Sequence, residues 1–200
     1  MQTIGVDEVG RGSGAGPLMA CAFVFLEQCE DLGLKDSKVL SPSRREKIFN
    51  KLAELRKQKK VNWTIISSPA TMIDKQGIQY ININALRLSA KALLCKIGTN
   101  NCNIIVDGNF NLSPIDINEK SYVFNSKIKA DKNYPEVSAA SIIAKVIRDK
   151  YMDFLHIKHP EYQWIKNKGY LTRDHCLAIQ DFGLTQFHRQ SFCNNLIEKK

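Results

Sequence analysis

Four acidic residues stand where a sheet protein builds its chemistry. Asp7 and Glu8 close a short apolar run, Asp107 closes Asn-Ile-Ile-Val-Asp, and Asp131 comes just before a long helical pattern. Strand ends and helix starts are where open α/β sheets place their sites. Carboxylates gathered in one cleft repel one another; a divalent cation offsets the repulsion, and hard oxygen donors suit Mg²⁺ or Mn²⁺. Taken alone, the same residues read equally as a solvated strand end and a turn former. Adjacent strand residues point to opposite faces, so Asp7 and Glu8 are expected to share a site only if the strand breaks at Glu8. Glycines at 10, 12, 14 and 16 permit such a break.

That glycine segment lacks the Gly-Lys-Ser/Thr ending of a Walker loop. A strand pattern follows it where a dinucleotide fingerprint needs a helix. Gly-x-Ser-x-Gly is absent, the histidines (156, 159, 175 and 188) lack metal spacing, and no Cys-x-x-Cys occurs among six cysteines. Nucleophilic hydrolase, zinc and disulfide chemistry are therefore unsupported. Ser141 and Lys145, one helical turn apart, share a face and can grip a phosphate. Arg148 reads either as a third such group or as part of a solvated basic face. Tyr162, Trp164 and Tyr170, interleaved with Lys158, Lys166 and Lys168, suit either a nucleic-acid strip or a packed aromatic corner.

The elements that must position these groups follow from periodicity. Residues 2–7 and 18–26 read as strands on either side of the glycine turn. Ser41 and Pro42 open a helix expected to run to Lys60. Residues 61–66 and 103–107 read as strands, and 121–124 as a weaker one. Helical stripes cover 84–97 and 136–157, and a last helix spans about 172–181. Strands first, then strands alternating with helices, give an α/β class with a mixed sheet.

At 200 residues the chain can bury one substantial core. Its formal charge of +9, spread over both halves, favours a polyanionic partner, with nucleic acid foremost. No signal-peptide layout opens the chain, and the longest apolar run has nine residues against the roughly 20 of a membrane helix. A cytoplasmic location without membrane contact is expected.

In order along the chain, these features resemble ribonuclease HII, the bacterial type 2 ribonuclease H. The blocks are Gly5-Val-Asp-Glu-Val-Gly-Arg-Gly12 with Ala15-Gly-Pro17, Leu34-Lys-Asp-Ser-Lys38 with Leu40-Ser41, Ile105-Val-Asp-Gly108, and Lys129-Ala-Asp131. Pro135-Glu-Val-Ser-Ala-Ala-Ser-Ile-Ile-Ala-Lys145 with Arg148-Asp149 follows, then Lys168-Gly-Tyr170 with Thr172, His175, His188, Arg189 and Phe192. The resemblance implies a ribonuclease H-like mixed five-stranded sheet flanked by helices. One domain is expected, with a core over about 1–157 and a helical C-terminal segment over about 158–200. It implies Asp7, Glu8, Asp107 and Asp131 as catalytic, metal-binding carboxylates acting through two divalent ions. Gly10, Arg11 and Gly12 would meet the ribose 2′-hydroxyl, and Tyr170 the RNA–DNA junction. Lys38, Ser141 and Lys145 complete the expected substrate contacts. Leu171 departs from the small residue or proline expected after that tyrosine. The Asp-Glu motif begins at residue 7, which favours type HII over HIII with its extra N-terminal domain. The activity implied is cleavage of the RNA strand of RNA–DNA hybrids and incision 5′ of ribonucleotides embedded in duplex DNA. The products would carry 3′-hydroxyl and 5′-phosphate ends, as ribonucleotide excision repair requires. A monomer without an obligate protein partner is expected.

Overall fold

The run Leu-Met-Ala-Cys-Ala-Phe-Val-Phe has no polar alternation, and a strand of that kind must be covered on both faces. It forms β2 (Leu18–Phe25) in the computed structural model, which describes residues 2–30, 32–34, 40–98 and 101–197. Its neighbours are β1 (Gln2–Val9) and β3 (Val61–Ser68), both antiparallel to it. Beyond β1 come β4 (Cys102–Asp107) and then β7 (Phe124–Lys127), each parallel to the strand before it. The order β3-β2-β1-β4-β7 is a mixed five-stranded sheet, as expected.

Helices cover the two faces according to side-chain parity. Ile4 and Val6, the even residues of β2, Ile104 and Val106 pack under α3 (Ile78–Ile97) through Ala85, Leu86 and Leu93. Cys21 and Phe23 meet α1 (Pro42–Lys57) and α4 (Pro135–Lys158) through Leu52, Ala140 and Ile143. The first turn of α4 lies directly on β1. A Cβ added to Gly5 would sit 2.2 Å from the backbone of Glu136 and Val137. That contact sets where the rest of α4, and thus Ser141, stands over the end of β1.

Ser41 caps α1 by accepting from the Arg44 N–H, with Pro42 in the first turn, as read from the sequence. The helix stops at Lys57, short of Lys60. Lys59 takes a left-handed φ of 62°, and the Lys60 carbonyl accepts from Leu26 as the chain turns into β3. The expected strand at 121–124 straddles a break at exposed Val123. Residues up to Tyr122 belong to a hairpin of β5 (Ile115–Ile117) and β6 (Lys120–Tyr122), whereas Phe124 starts β7 in the main sheet.

The sequence reading gave no bounds for α2 (Ala70–Gln76) or for α7 (Gln190–Ile197), the latter lying within the expected helical C-terminal segment. They stabilise each other. The Asp74 carboxylate on α2 accepts from the Gln190 and Ser191 N–H groups at 2.9 and 3.0 Å, capping α7 from another element. Asp74→Ala should therefore cost about 1 kcal/mol, measured by denaturant unfolding, as loss of an N-cap does. The remaining helices, α5 (Trp164–Asn167) and α6 (Arg173–Phe182), enclose an aromatic cluster. Tyr162 and Trp164 stack there at 5.1 Å and are buried, so the packed corner prevails over a nucleic-acid strip for these two rings. Among the described residues, no helix is long and apolar enough to cross a membrane.

Candidate active site

The cleft lies past the carboxyl end of β4. Pairing between β1 and β4 extends to Val6 and Val106, after which β4 ends at Asp107 and turns away at Gly108, while β1 continues to Val9. The expected break at Glu8 does not occur: Glu8 and Val9 still pair with Ala20 and Met19 of β2. Asp7 and Glu8 nevertheless line one cleft with Asp107, because it straddles the open edge of β1 where β4 has left. Asp7 arrives on the α4 face, where the Ser141 hydroxyl favours its charged form. Glu8 arrives on the α3 face, above buried Asn82.

Burial dominates the electrostatics. Desolvation, followed by the charge of Glu8, pushes Asp7 up from 3.8 to about 8. Glu8 is also raised by burial, and the guanidinium of Arg11 and the Asn82 amide draw it back. That amide acts on Glu8 without closing a bond of ordinary length: neither Glu8 Oε2 nor the Asn82 side chain has a hydrogen-bond partner. Asp107 Oδ1 accepts from the Ala130 N–H at 2.8 Å and so tethers the 3₁₀ turn carrying Asp131. Asp131 itself is buried and lines the neighbouring cavity with Leu32, Leu34 and Pro135 rather than the cleft. Among the described residues, no three His, Cys, Asp or Glu side chains already converge as a metal site.

The cleft encloses about 630 Å³, and Arg11, Arg45, Gln79, Phe110, Ser141, Lys145 and Tyr170 also line it. Arg11 bridges its mouth, donating to Gln79 Oε1 at 2.7 Å with its guanidinium 5.6 Å from the Phe110 ring centre. Lys145 is paired with Asp149 at 2.7 Å. Gly12 is exposed, and nothing lies within 4 Å of where its Cβ would be, so its backbone is open to approach. Gly10 differs: it is buried with φ +82°, and a Cβ there would strike the Arg148 guanidinium. Lys38 lies outside the described residues.

Two buried guanidiniums shape the glycine loop. Arg148 donates to the carbonyls of Ala15, Pro17 and Lys168 at 3.0, 2.9 and 2.8 Å. Arg189 donates to those of Gly16 and Arg11. Arg148 is therefore neither a phosphate grip nor part of a solvated face; its fork is filled by backbone oxygen. Burial and the nearby charge of Arg148 push Arg189 down to about 9.

A family model described as ribonuclease HII matches residues 4–195. The ribonuclease HII of Aliarcobacter butzleri is 40% identical over 188 residues, covering 94% of this chain and 88% of its own. The chain belongs to the ribonuclease HII family. Its fold is likewise that of the crystal structure of ribonuclease H2 from Pyrococcus horikoshii, with a TM-score of 0.78 and 26% identity over 100% of this chain and 98% of that one. Bst-RNase HIII, solved in complex with Mn²⁺, shares the fold at a TM-score of 0.72 and 17% identity, covering 99% of this chain and 70% of its own.

Within this ribonuclease H framework, four residues in or beneath the cleft went unassigned from the sequence. Asn82 breaks the apolar stripe of α3 one turn before Leu86, a visible anomaly. Arg45, Gln79 and Phe110 carry no pattern and are found only through the fold. Leu171, where the resemblance departs, packs its side chain onto Gly14, which has no Cβ to oppose it.

Proposed function

We propose that this ribonuclease HII family enzyme hydrolyses the RNA strand of RNA–DNA hybrids and incises 5′ of ribonucleotides embedded in duplex DNA. Asp7, Glu8, Asp107 and Asp131 would bind the divalent cations. The observation that carries the reading is the sharing of one basic-rimmed cleft by Asp7, Glu8 and Asp107 at the ends of two parallel strands.

The residues present fit a hard divalent cation. The donors are carboxylate oxygens, Glu8 Oε2 is buried without a hydrogen-bond partner, and burial alone would leave Asp7 protonated near neutrality. Bound divalent cations would supply an activated water and charge stabilisation of the leaving oxygen.

The chain's own side chains do the rest. The Glu8 N–H holds the Asp7 carboxylate, and the Ser141 hydroxyl favours its charged form. Arg11, Arg45 and Lys145 offset the phosphate charge of the bound strand. The open backbone at Gly12 lets a sugar approach closely enough for its 2′-hydroxyl to be sensed, the group that separates RNA from DNA at a single residue. Tyr170, 39% exposed, offers a ring to the base or sugar beside the junction. The products would be 3′-hydroxyl and 5′-phosphate ends, the chemistry that ribonucleotide excision repair needs.

Cleavage of a duplex with one ribonucleotide, against the same duplex in DNA alone and with or without Mg²⁺ or Mn²⁺, tests this reading. Cation-dependent incision 5′ of the ribonucleotide is expected; equal cutting of the all-DNA duplex would overturn it. Lys145→Met should weaken duplex binding evenly across sequences and lower the slope of log affinity against log salt by about 1, one phosphate contact's worth. An unchanged slope would remove Lys145 from the contact set.

A further inference from the structure

His175 and His188 are buried, lie outside the cleft and take no part in the chemistry above. Burying two imidazoles is costly unless their nitrogens are bonded, and here all four are. His188 Nδ1 accepts from the Thr185 N–H at 2.9 Å, with the Thr185 hydroxyl at 3.0 Å, so its proton resides on Nε2. That Nε2–H points at His175 Nε2 at 3.1 Å and shares its one lone pair with the Trp164 indole N–H, also at 3.1 Å. His175 Nε2 is thereby an acceptor, and its proton stands on Nδ1. Nδ1–H donates to the carbonyl of Tyr170 at 2.9 Å. Burial holds both rings neutral, with His188 pushed down to about 3 by burial and then by its neighbour.

The same carbonyl accepts from the Thr172 N–H at 2.8 Å, and the Tyr170 N–H donates to Asn167 at 3.0 Å. Tyr170 thus has an anchored backbone under an exposed ring, with the Arg148 guanidinium 5.8 Å from that ring's centre. The directed chain Thr185, His188, His175, Tyr170 ends at the aromatic wall of the cleft.

We infer that His175, oriented by His188, is a positioning residue for substrate recognition, fixing the backbone of Tyr170 and with it the ring presented to the nucleic acid. This rests on the reading that Tyr170 meets the substrate.

Two near-isosteric variants separate positioning from packing. His175→Asn keeps an N–H donor at the Nδ1 position and loses the Nε2 acceptor; His175→Gln keeps an acceptor at the Nε2 position and loses the donor to Tyr170. Both should lower Tm similarly. His175→Gln should raise KM for the single-ribonucleotide duplex on the order of tenfold, with kcat within about twofold, whereas His175→Asn, which keeps the donor to Tyr170 but loses its orientation by His188, should raise KM by only about threefold. In a Tyr170→Ala background, His175→Gln should add nothing to KM. Equal KM changes in the two variants, or a full additional effect without the Tyr170 ring, would overturn the inference. If Tyr170→Ala alone leaves KM unchanged, the substrate contact of Tyr170 is what fails, and the inference falls with it. A measurement on the wild-type protein needs no variant to fold. NMR should show a slowly exchanging His175 Nδ1–H coupled through the hydrogen bond to the Tyr170 carbonyl carbon, and a proton on Nε2 instead would contradict the chain.

Discussion

Asp7→Asn is expected to slow cleavage of a single-ribonucleotide duplex by roughly three orders of magnitude, about 4 kcal/mol of transition-state stabilisation, while duplex binding is largely kept. The same variant should reveal the electrostatics of the site without substrate. In the folded protein Asp7 titrates near 8, against about 3.8 when solvated. Between those values the folded state holds a proton that the unfolded state has released, so metal-free stability falls as pH rises from about 4 to about 8. Glu8, raised in the same direction, adds to the fall. Asparagine carries no charge at any pH. In EDTA, Asp7→Asn should therefore melt increasingly above wild type between pH 5 and pH 8. Parallel melting curves across that range would show that Asp7 is not carrying a buried-charge penalty.

Arg148→Met is expected to be among the most damaging single changes outside the carboxylates. It leaves the carbonyls of Ala15, Pro17 and Lys168 in the interior without their donor and frees the loop next to Arg11 and Gly12. A loss of roughly 3–5 kcal/mol follows, equivalent to about 10 °C in Tm for a chain of this size. Arg148→Lys should rescue little, since one ammonium cannot span three carbonyls set in a fork. Denaturant unfolding checks both variants; a loss below about 1 kcal/mol for Arg148→Met would show that the loop holds its shape without the guanidinium.

Much of this was legible in the residues before any coordinates. The sheet class came from strand-like runs alternating with helical stripes, and Asp7, Glu8 and Asp107 were marked by their places at strand ends. What could not be read was how Asp7 and Glu8 share a cleft. The answer is the register of β4, which ends one residue past its last pair with β1 and leaves that strand's edge open. Arg148 escaped for a related reason. On a helical pattern a charged residue marks the wet face, and its burial depends on loop carbonyls more than 130 positions away. Helix α7 is short, and its cap comes from Asp74, so no local signal announces it. Tyr162 and Trp164, flanked by lysines, suited a nucleic-acid strip as well as a packed corner; stacking and histidine neighbours, both tertiary, decide for the corner.

The cleft carboxylates are proposed to hold the divalent cations of a ribonuclease. Anomalous scattering from crystals soaked in Mn²⁺ tests it most directly, since it locates the ions without reference to activity. Peaks bounded by Asp7, Glu8 and Asp107, with Asp131 turned toward them from the neighbouring cavity, are the predicted result. Mn²⁺ density elsewhere, or none in the cleft at concentrations that support cleavage, would contradict the account.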